Sequence, residues 1–144
     1  MGGNILKNYK IENNIPALEE YKYLCESVGW TNYMNFEVAE TSLKNSIHCI
    51  TVKDNEQIVG MGRIVGDGAI YFYIQDIVVH PDYQKHGIGN EIMNLLVEYL
   101  NRNAPDKAFV GLFASQGKET FYEKFNFKDF SPNMTGMFTV ISKK

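Results

Sequence analysis

An α/β (α+β) fold is what the sequence predicts: one domain on a mixed, mostly antiparallel sheet of six or seven strands, with helices on both faces. Three observations carry this. Strand-like runs at residues 47–52, 58–65 and 69–79 follow one another across links of a few residues, so they turn back as antiparallel neighbours. The third run feeds a loop, Gln84-Lys85-His86-Gly87-Ile88-Gly89, that opens a strongly periodic helical stretch. Residues 108–114 are then nearly continuous in apolar side chains, as expected of a strand covered on both faces and parallel to its neighbour. Strand, helix and strand make a β-α-β unit. A chain of 144 residues suits a single domain, residues 1–144.

The elements follow in order. Residues 4–11 alternate loosely and are expected to form an edge strand. Pro16 opens a helix with Leu18, Tyr21, Leu24, Cys25 and Val28 on one stripe, and Gly29 ends it. Trp30-Thr31-Asn32-Tyr33-Met34-Asn35-Phe36 is aromatic and poorly periodic, and leads into a second helix over residues 37–44. Lys53-Asp54-Asn55-Glu56-Gln57 reads as a hairpin turn, and Gly66-Asp67-Gly68 as a second turn. After the glycine loop, Ile88, Ile92, Met93, Leu96, Tyr99 and Leu100 form an apolar stripe that fades before Pro105. Residues 116–124 suit a short helix ended by Asn126, which tolerates the left-handed conformation. Residues 127–130 and 137–142 are expected to close the sheet as a hairpin around Ser131-Pro132-Asn133.

A formal net charge of −3 argues against a general nucleic-acid binder, which needs a dense basic surface. No apolar run is long enough to span a bilayer, and Met1-Gly2-Gly3-Asn4 does not open a secretory signal. Leu6 stands where a myristoylation site needs Ser or Thr. The expectation is a soluble cytoplasmic protein without nucleic-acid or membrane partners, with Cys25 and Cys49 as reduced, half-buried thiols. His48, His80 and His86 share no ligand spacing with each other or with cysteine, so no metal is expected. Neither cysteine has a catalytic context and no Gly-x-Ser-x-Gly elbow occurs, which disfavours acyl-enzyme chemistry.

A two-glycine loop where a strand feeds a helix aims backbone N–H groups and the positive end of the helix dipole at one spot, a place for a phosphate. A Rossmann fingerprint would need glycine or alanine where Ile92 stands, and would follow the first strand rather than a meander. A P-loop would need a following Gly-Lys-Ser or Gly-Lys-Thr, which is missing. The run Ile77-Val78-Val79-His80-Pro81-Asp82-Tyr83-Gln84-Lys85-His86-Gly87-Ile88-Gly89 instead resembles the strand, His-Pro turn and Gln/Arg-x-x-Gly-x-Gly/Ala loop of the GCN5-related N-acetyltransferase (GNAT) family. Phe121-Tyr122-Glu123-Lys124-Phe125-Asn126-Phe127 is similar to that family's C-terminal Phe/Leu-Tyr-x-x-x-Gly-Phe.

The resemblance implies an enzyme that moves an acetyl group from acetyl-coenzyme A to a primary amine of a small molecule or peptide, by direct attack in a ternary complex. It implies central strands that splay, with the backbone of Ile77, Val78 and Val79 pairing with the pantetheine arm. The loop beginning at Gln84 would hold the pyrophosphate on the amides of Lys85, His86, Gly87, Ile88, Gly89 and Asn90. Tyr122 would protonate the departing thiolate, although its apolar neighbours equally suit a core ring. The sequence departs from the family at Asn126, where glycine is common, and at Ser115, where asparagine often contacts the cofactor.

The strand carboxylate that some members use as general base is Tyr73 here. Asp76 is expected on the opposite face from Tyr73, Gln75 and Ile77, which leaves a water relay lined by Tyr73 and Gln75. Trp30, Tyr33, Phe36, Tyr71 and Tyr73 are candidates for the acceptor pocket, or else satellite core. The C-terminal strands offer an edge for a homodimer. The alternative functions are a non-catalytic acyl-coenzyme A sensor and, more distantly, a nucleotide-binding domain.

Overall fold

A computed structural model describes residues 8–143, and the chain divides into two compact units, residues 1–111 and 112–144. The first unit holds a five-stranded sheet in the order β1 (Tyr9–Glu12), β2 (His48–Asp54), β3 (Gln57–Gly66), β4 (Tyr71–Val79) and β5 (Phe109–Gly111). The first four strands are antiparallel neighbours and β5 runs parallel to β4. The hairpin between β2 and β3 needs only Asn55 and Glu56, and Asn55 takes a φ of 56°. Residues 4–7 of the expected edge strand lie outside the described residues.

Helix α1 (Leu18–Ser27) begins where the Glu20 carboxylate accepts the Ala17 N–H at 2.9 Å and ends at Gly29, whose φ of 80° suits a residue without Cβ. Helix α2 (Ala39–Lys44) starts two residues later than expected, because residues 36–38 form a turn. Tyr21, Leu24 and Cys25 of α1 and Leu43 of α2 bury themselves against Cys49, Ile58, Met61 and Val78 of the sheet. Cys25 and Cys49 are unpaired, and they are fully buried rather than half-buried. Burial pushes their thiols up, to about 11 and about 12.

Helix α3 (Ile88–Asn103) lays Ile88, Ile92, Met93, Leu96 and Leu100 on the other face. Burying each such side chain contributes roughly 1.5–3 kcal/mol. Gly60 and Gly62 of β3 let it approach: a Cβ on Gly62 would stand 2.5 Å from Ile92 Cγ2 and 2.6 Å from Ile77 Cδ1. No helix of the described residues is long and apolar enough to cross a membrane.

In the second unit, helix α4 (Glu119–Glu123) is followed by Asn126 at φ 71°, the left-handed stop that the sequence suggests. The expected closing hairpin does not form: residues 127–143 contain no strand, and Met137, Phe138, Val140 and Ile141 are exposed. Two short runs gain little by pairing alone, without a third strand or a covering helix. The sheet therefore has five strands among the described residues instead of six or seven, and β5 is shorter than the apolar run that announced it.

Candidate functional site

Strand β4 is the spine of the site. Its ladder with β5 has only three rungs, Tyr71↔Phe109, Phe72↔Val110 and Tyr73↔Gly111. From Ile74 to Val79 its outer edge has no strand partner among the described residues, while its inner edge stays on β3. That is the splay the resemblance implies, and it leaves the backbone groups of residues 77–79 that face away from β3 without a ladder, apart from the Val79 C=O, which accepts from Gln84.

The β3 and β4 registers also slip. Arg63 pairs with Gln75 and Met61 with Val78, so Gly62 alone stands opposite Asp76 and Ile77. This is a β-bulge, and Asp76 adopts a φ of 56° within it. Strict alternation is thereby broken. Asp76 shares the face of Gln75 and Tyr73 rather than opposing them, while Ile77 turns toward Gly62 and α3. The Asp76 carboxylate is engaged, its Oδ2 accepting from Arg63 Nε at 2.8 Å and from the Tyr21 hydroxyl at 2.9 Å. The structural hydrogen-bonding reading of Asp76 holds, although its expected face does not.

Beyond β4, the Tyr83 hydroxyl donates to Asp54 at 2.8 Å and the His80 N–H to Val59 O at 2.8 Å, tying the His-Pro turn to the ends of β2 and β3. The bond to Asp54 holds the Tyr83 phenol above its ordinary value. Gln84 reaches back, its Nε2 donating to Val79 O at 3.0 Å. The loop then passes through two left-handed residues, Lys85 at φ 69° and Gly87 at φ 86°. Gly87 is the N-cap of α3 and supplies no side-chain cap; the first intrahelical bond runs from Glu91 N to Gly87 O. Gln84, Lys85, His86 and Gly87 are exposed, Ile88 is the buried anchor, and the first-turn amides of Ile88, Gly89 and Asn90 follow it. The positive end of the α3 dipole therefore meets an exposed, two-glycine loop.

Tyr73 and Gln75 are partly buried on the α1 face of β4; the Tyr73 ring lies 6.0 Å from that of Phe109 and packs over Gly111. Trp30 and Phe36 pack against the core of α1 and α2, as satellite core would, whereas Tyr33 is exposed. In the second unit, Tyr122 is partly buried beside Phe121, ring centroids 5.0 Å apart, and burial raises its phenol. No group of three or more His, Cys, Asp or Glu among the described residues could hold a metal ion.

The sequence reading passed over Arg63. Its Nη1 donates to Ser42 O at 3.1 Å and Ser46 Oγ at 3.0 Å, and its Nη2 to Ser42 Oγ at 3.0 Å. An arginine inside the apolar run 58–65 is the signal for it, since a guanidinium there must find buried partners.

Residues 17–137 match the family model of the acetyltransferase (GNAT) domain. Over 134 residues the chain is 33% identical to the uncharacterized N-acetyltransferase ycf52 of Pyropia yezoensis, covering 90% of this chain and 75% of the relative. A crystal structure of a probable acetyltransferase from meticillin-resistant Staphylococcus aureus aligns with a TM-score of 0.84 at 32% identity, covering 92% of this chain and 99% of that one. A GNAT family acetyltransferase from Streptococcus pneumoniae TIGR4 aligns with a TM-score of 0.75 at 30% identity, covering 94% and 99%.

Proposed function

The chain belongs to the GNAT family and is an acyltransferase, and from that membership we propose that it moves an acetyl group from acetyl-coenzyme A to a primary amine of a small molecule or peptide. The observation that carries this reading is the outer edge of β4 from Ile74 to Val79, without a strand partner among the described residues and followed, through the His-Pro turn, by the glycine-capped start of α3. An amide-bearing pantetheine arm adds to such an edge as an extra strand would. The amides from Lys85 to Asn90 and the dipole of α3 hold the pyrophosphate, and the Gln84 clasp on Val79 keeps edge and cradle in register.

Transfer is direct. The neutral amine attacks the thioester carbonyl and a β4 N–H near Val79 stabilises the charge that develops on its oxygen; the family resemblance, rather than any distance to β4, assigns the proton for the leaving thiolate to Tyr122. Burial favours the neutral phenol, so Tyr122 carries its proton at neutral pH. With Asp76 occupied by Arg63 and Tyr21, the amine's proton leaves through water beside Tyr73 and Gln75.

The test pairs thermal shift with acetyl-coenzyme A and thiol release across polyamines, amino acids, aminoglycosides and peptide N-termini. Stabilisation with turnover on one class supports the reading and names the acceptor. Stabilisation without turnover on any amine turns the assignment to an acyl-coenzyme A sensor. Stabilisation by NAD instead would point to a nucleotide-binding domain.

A further inference from the structure

We infer that Asp76 is a positioning residue for acetyl transfer: held by Arg63 and Tyr21, it fixes the bulge that sets the backbone of Ile77 to Val79 against the reacting carbonyl. This rests on the reading of β4 as the acetyl-coenzyme A edge.

A left-handed non-glycine residue inside a strand is unfavourable on its own and persists only where its surroundings hold it. Here two elements, β3 and α1, converge on it, and α2 backs the first. Arg63 from β3, 7% exposed, is itself fixed by Ser42 and Ser46 at the end of α2. Tyr21, 2% exposed, comes from α1. Both donate to the same carboxylate oxygen, so the carboxylate cannot swing without breaking a bond to each. On the opposite face, Ile77 fills the space that a Cβ on Gly62 would occupy. The two bulged residues are thus pinned from opposite sides of the sheet.

A buried ion pair kept for stability alone could sit anywhere in the core, and apolar residues often replace one without loss. This one grips the residue whose backbone has the positive φ, within the edge of β4 that lies beyond the β5 ladder. A bulge adds twist and re-aims the strand that follows it. Loss of the grip then misplaces the peptide groups that bind and polarise the thioester, and misplacement of such groups costs rate more than affinity.

The experiment compares Asp76→Ala, Asp76→Asn and Tyr21→Phe with the wild-type chain. Asn keeps the side-chain shape, one acceptor oxygen and tolerance of the left-handed conformation; Ala keeps none of these. Tyr21→Phe removes one donor and leaves the ion pair intact, so it covers the case in which Asp76→Ala fails to fold. The readouts are kcat, coenzyme A affinity and the carbonyl stretch of bound acetyl-coenzyme A carrying a 13C thioester. In Asp76→Ala, kcat falls about tenfold or more, coenzyme A affinity is little changed, and the stretch returns toward its value in solution. Asp76→Asn and Tyr21→Phe show the same pattern to a smaller degree. Folded variants with wild-type kcat and an unmoved stretch would overturn the inference and leave the network a structural one. A wild-type protein inactive on every amine, whose variants still lose the carbonyl shift, would remove the transfer reading while supporting the positioning role.

Discussion

Tyr122 has two claims on it, as a ring among phenylalanines and as an acid. The ring is satisfied by Phe121 at 5.0 Å, and burial raises the phenol, which keeps the acidic proton in place at neutral pH. Replacement by Phe preserves the packing and removes only the hydroxyl. Turnover is expected to fall about 100-fold or more, with coenzyme A affinity and thermal stability nearly unchanged. Steady-state kinetics beside a thermal shift checks this, and unchanged turnover would strip Tyr122 of the role. Its position was legible because Phe-Tyr-x-x-x-Asn-Phe is a local pattern. Asp76 was legible only in part: its hydrogen-bonding character follows from a lone carboxylate in an apolar run, but its face depends on a bulge that period-two reading cannot contain. The partners of Arg63 come from α2, the turn just beyond it and β4, and no local spacing announces them.

Glycine does different work in two elements, and substitution separates them. In β3, Gly62 makes room: alanine there would bring its Cβ within 2.5 Å of Ile92 and 2.6 Å of Ile77, whereas at Gly60 the tightest approach is 3.1 Å, to Ile88. Gly62→Ala is expected to cost about 1–3 kcal/mol by overpacking and Gly60→Ala clearly less; urea midpoints give the order, and the reverse order would refute this account of α3 packing. At Gly87 the issue is conformation. A φ of 86° at the cap of α3 makes alanine unfavourable by about 1–2 kcal/mol. If the loop relaxes to avoid that strain, coenzyme A affinity falls about tenfold, and Gly87→Asn recovers part of it. Titration of coenzyme A against the thermal midpoint measures this, and wild-type affinity in Gly87→Ala would mean that the loop does not hold the pyrophosphate. At this scale the sequence was most readable, since turn residues and apolar stripes are local. α1, the meander, α3 and the parallel fifth strand lie within a few residues of where Gly29, Asn55, Gly66 and Pro105 punctuate the chain. The closing hairpin failed because alternation states that a run could be a strand, and not whether a ladder is there to receive it.

For the whole molecule, the buried titratable groups set a window of stability in pH. Cys25 and Cys49 have folded values near 11 and 12 against 9.0 when free, both raised chiefly by burial. Above about pH 9 the unfolded chain gives up thiol protons that the folded chain retains, so stability is lost as pH rises from there through the folded values. Tyr21, raised by burial and then by Asp76, acts in the same direction above 10.0. On the acid side, burial lowers His48 below 6.5, where its ring stacks on Tyr99 at 4.0 Å. As pH falls below 6.5 the unfolded chain takes up that proton more readily, and stability declines again. Asp67, held low by the N–H groups of Tyr71, Ala69 and Ile70, adds to the loss once pH falls below 3.8. The urea midpoint at fixed ionic strength is therefore expected to be flat between about pH 7 and pH 8.5 and to drop on both sides. Cys49→Ala should shallow the alkaline limb while leaving the acid limb alone. A midpoint that stays level to about pH 11 would show that the thiols ionise as readily folded as unfolded, which their burial in the core of α1, α2 and the sheet forbids.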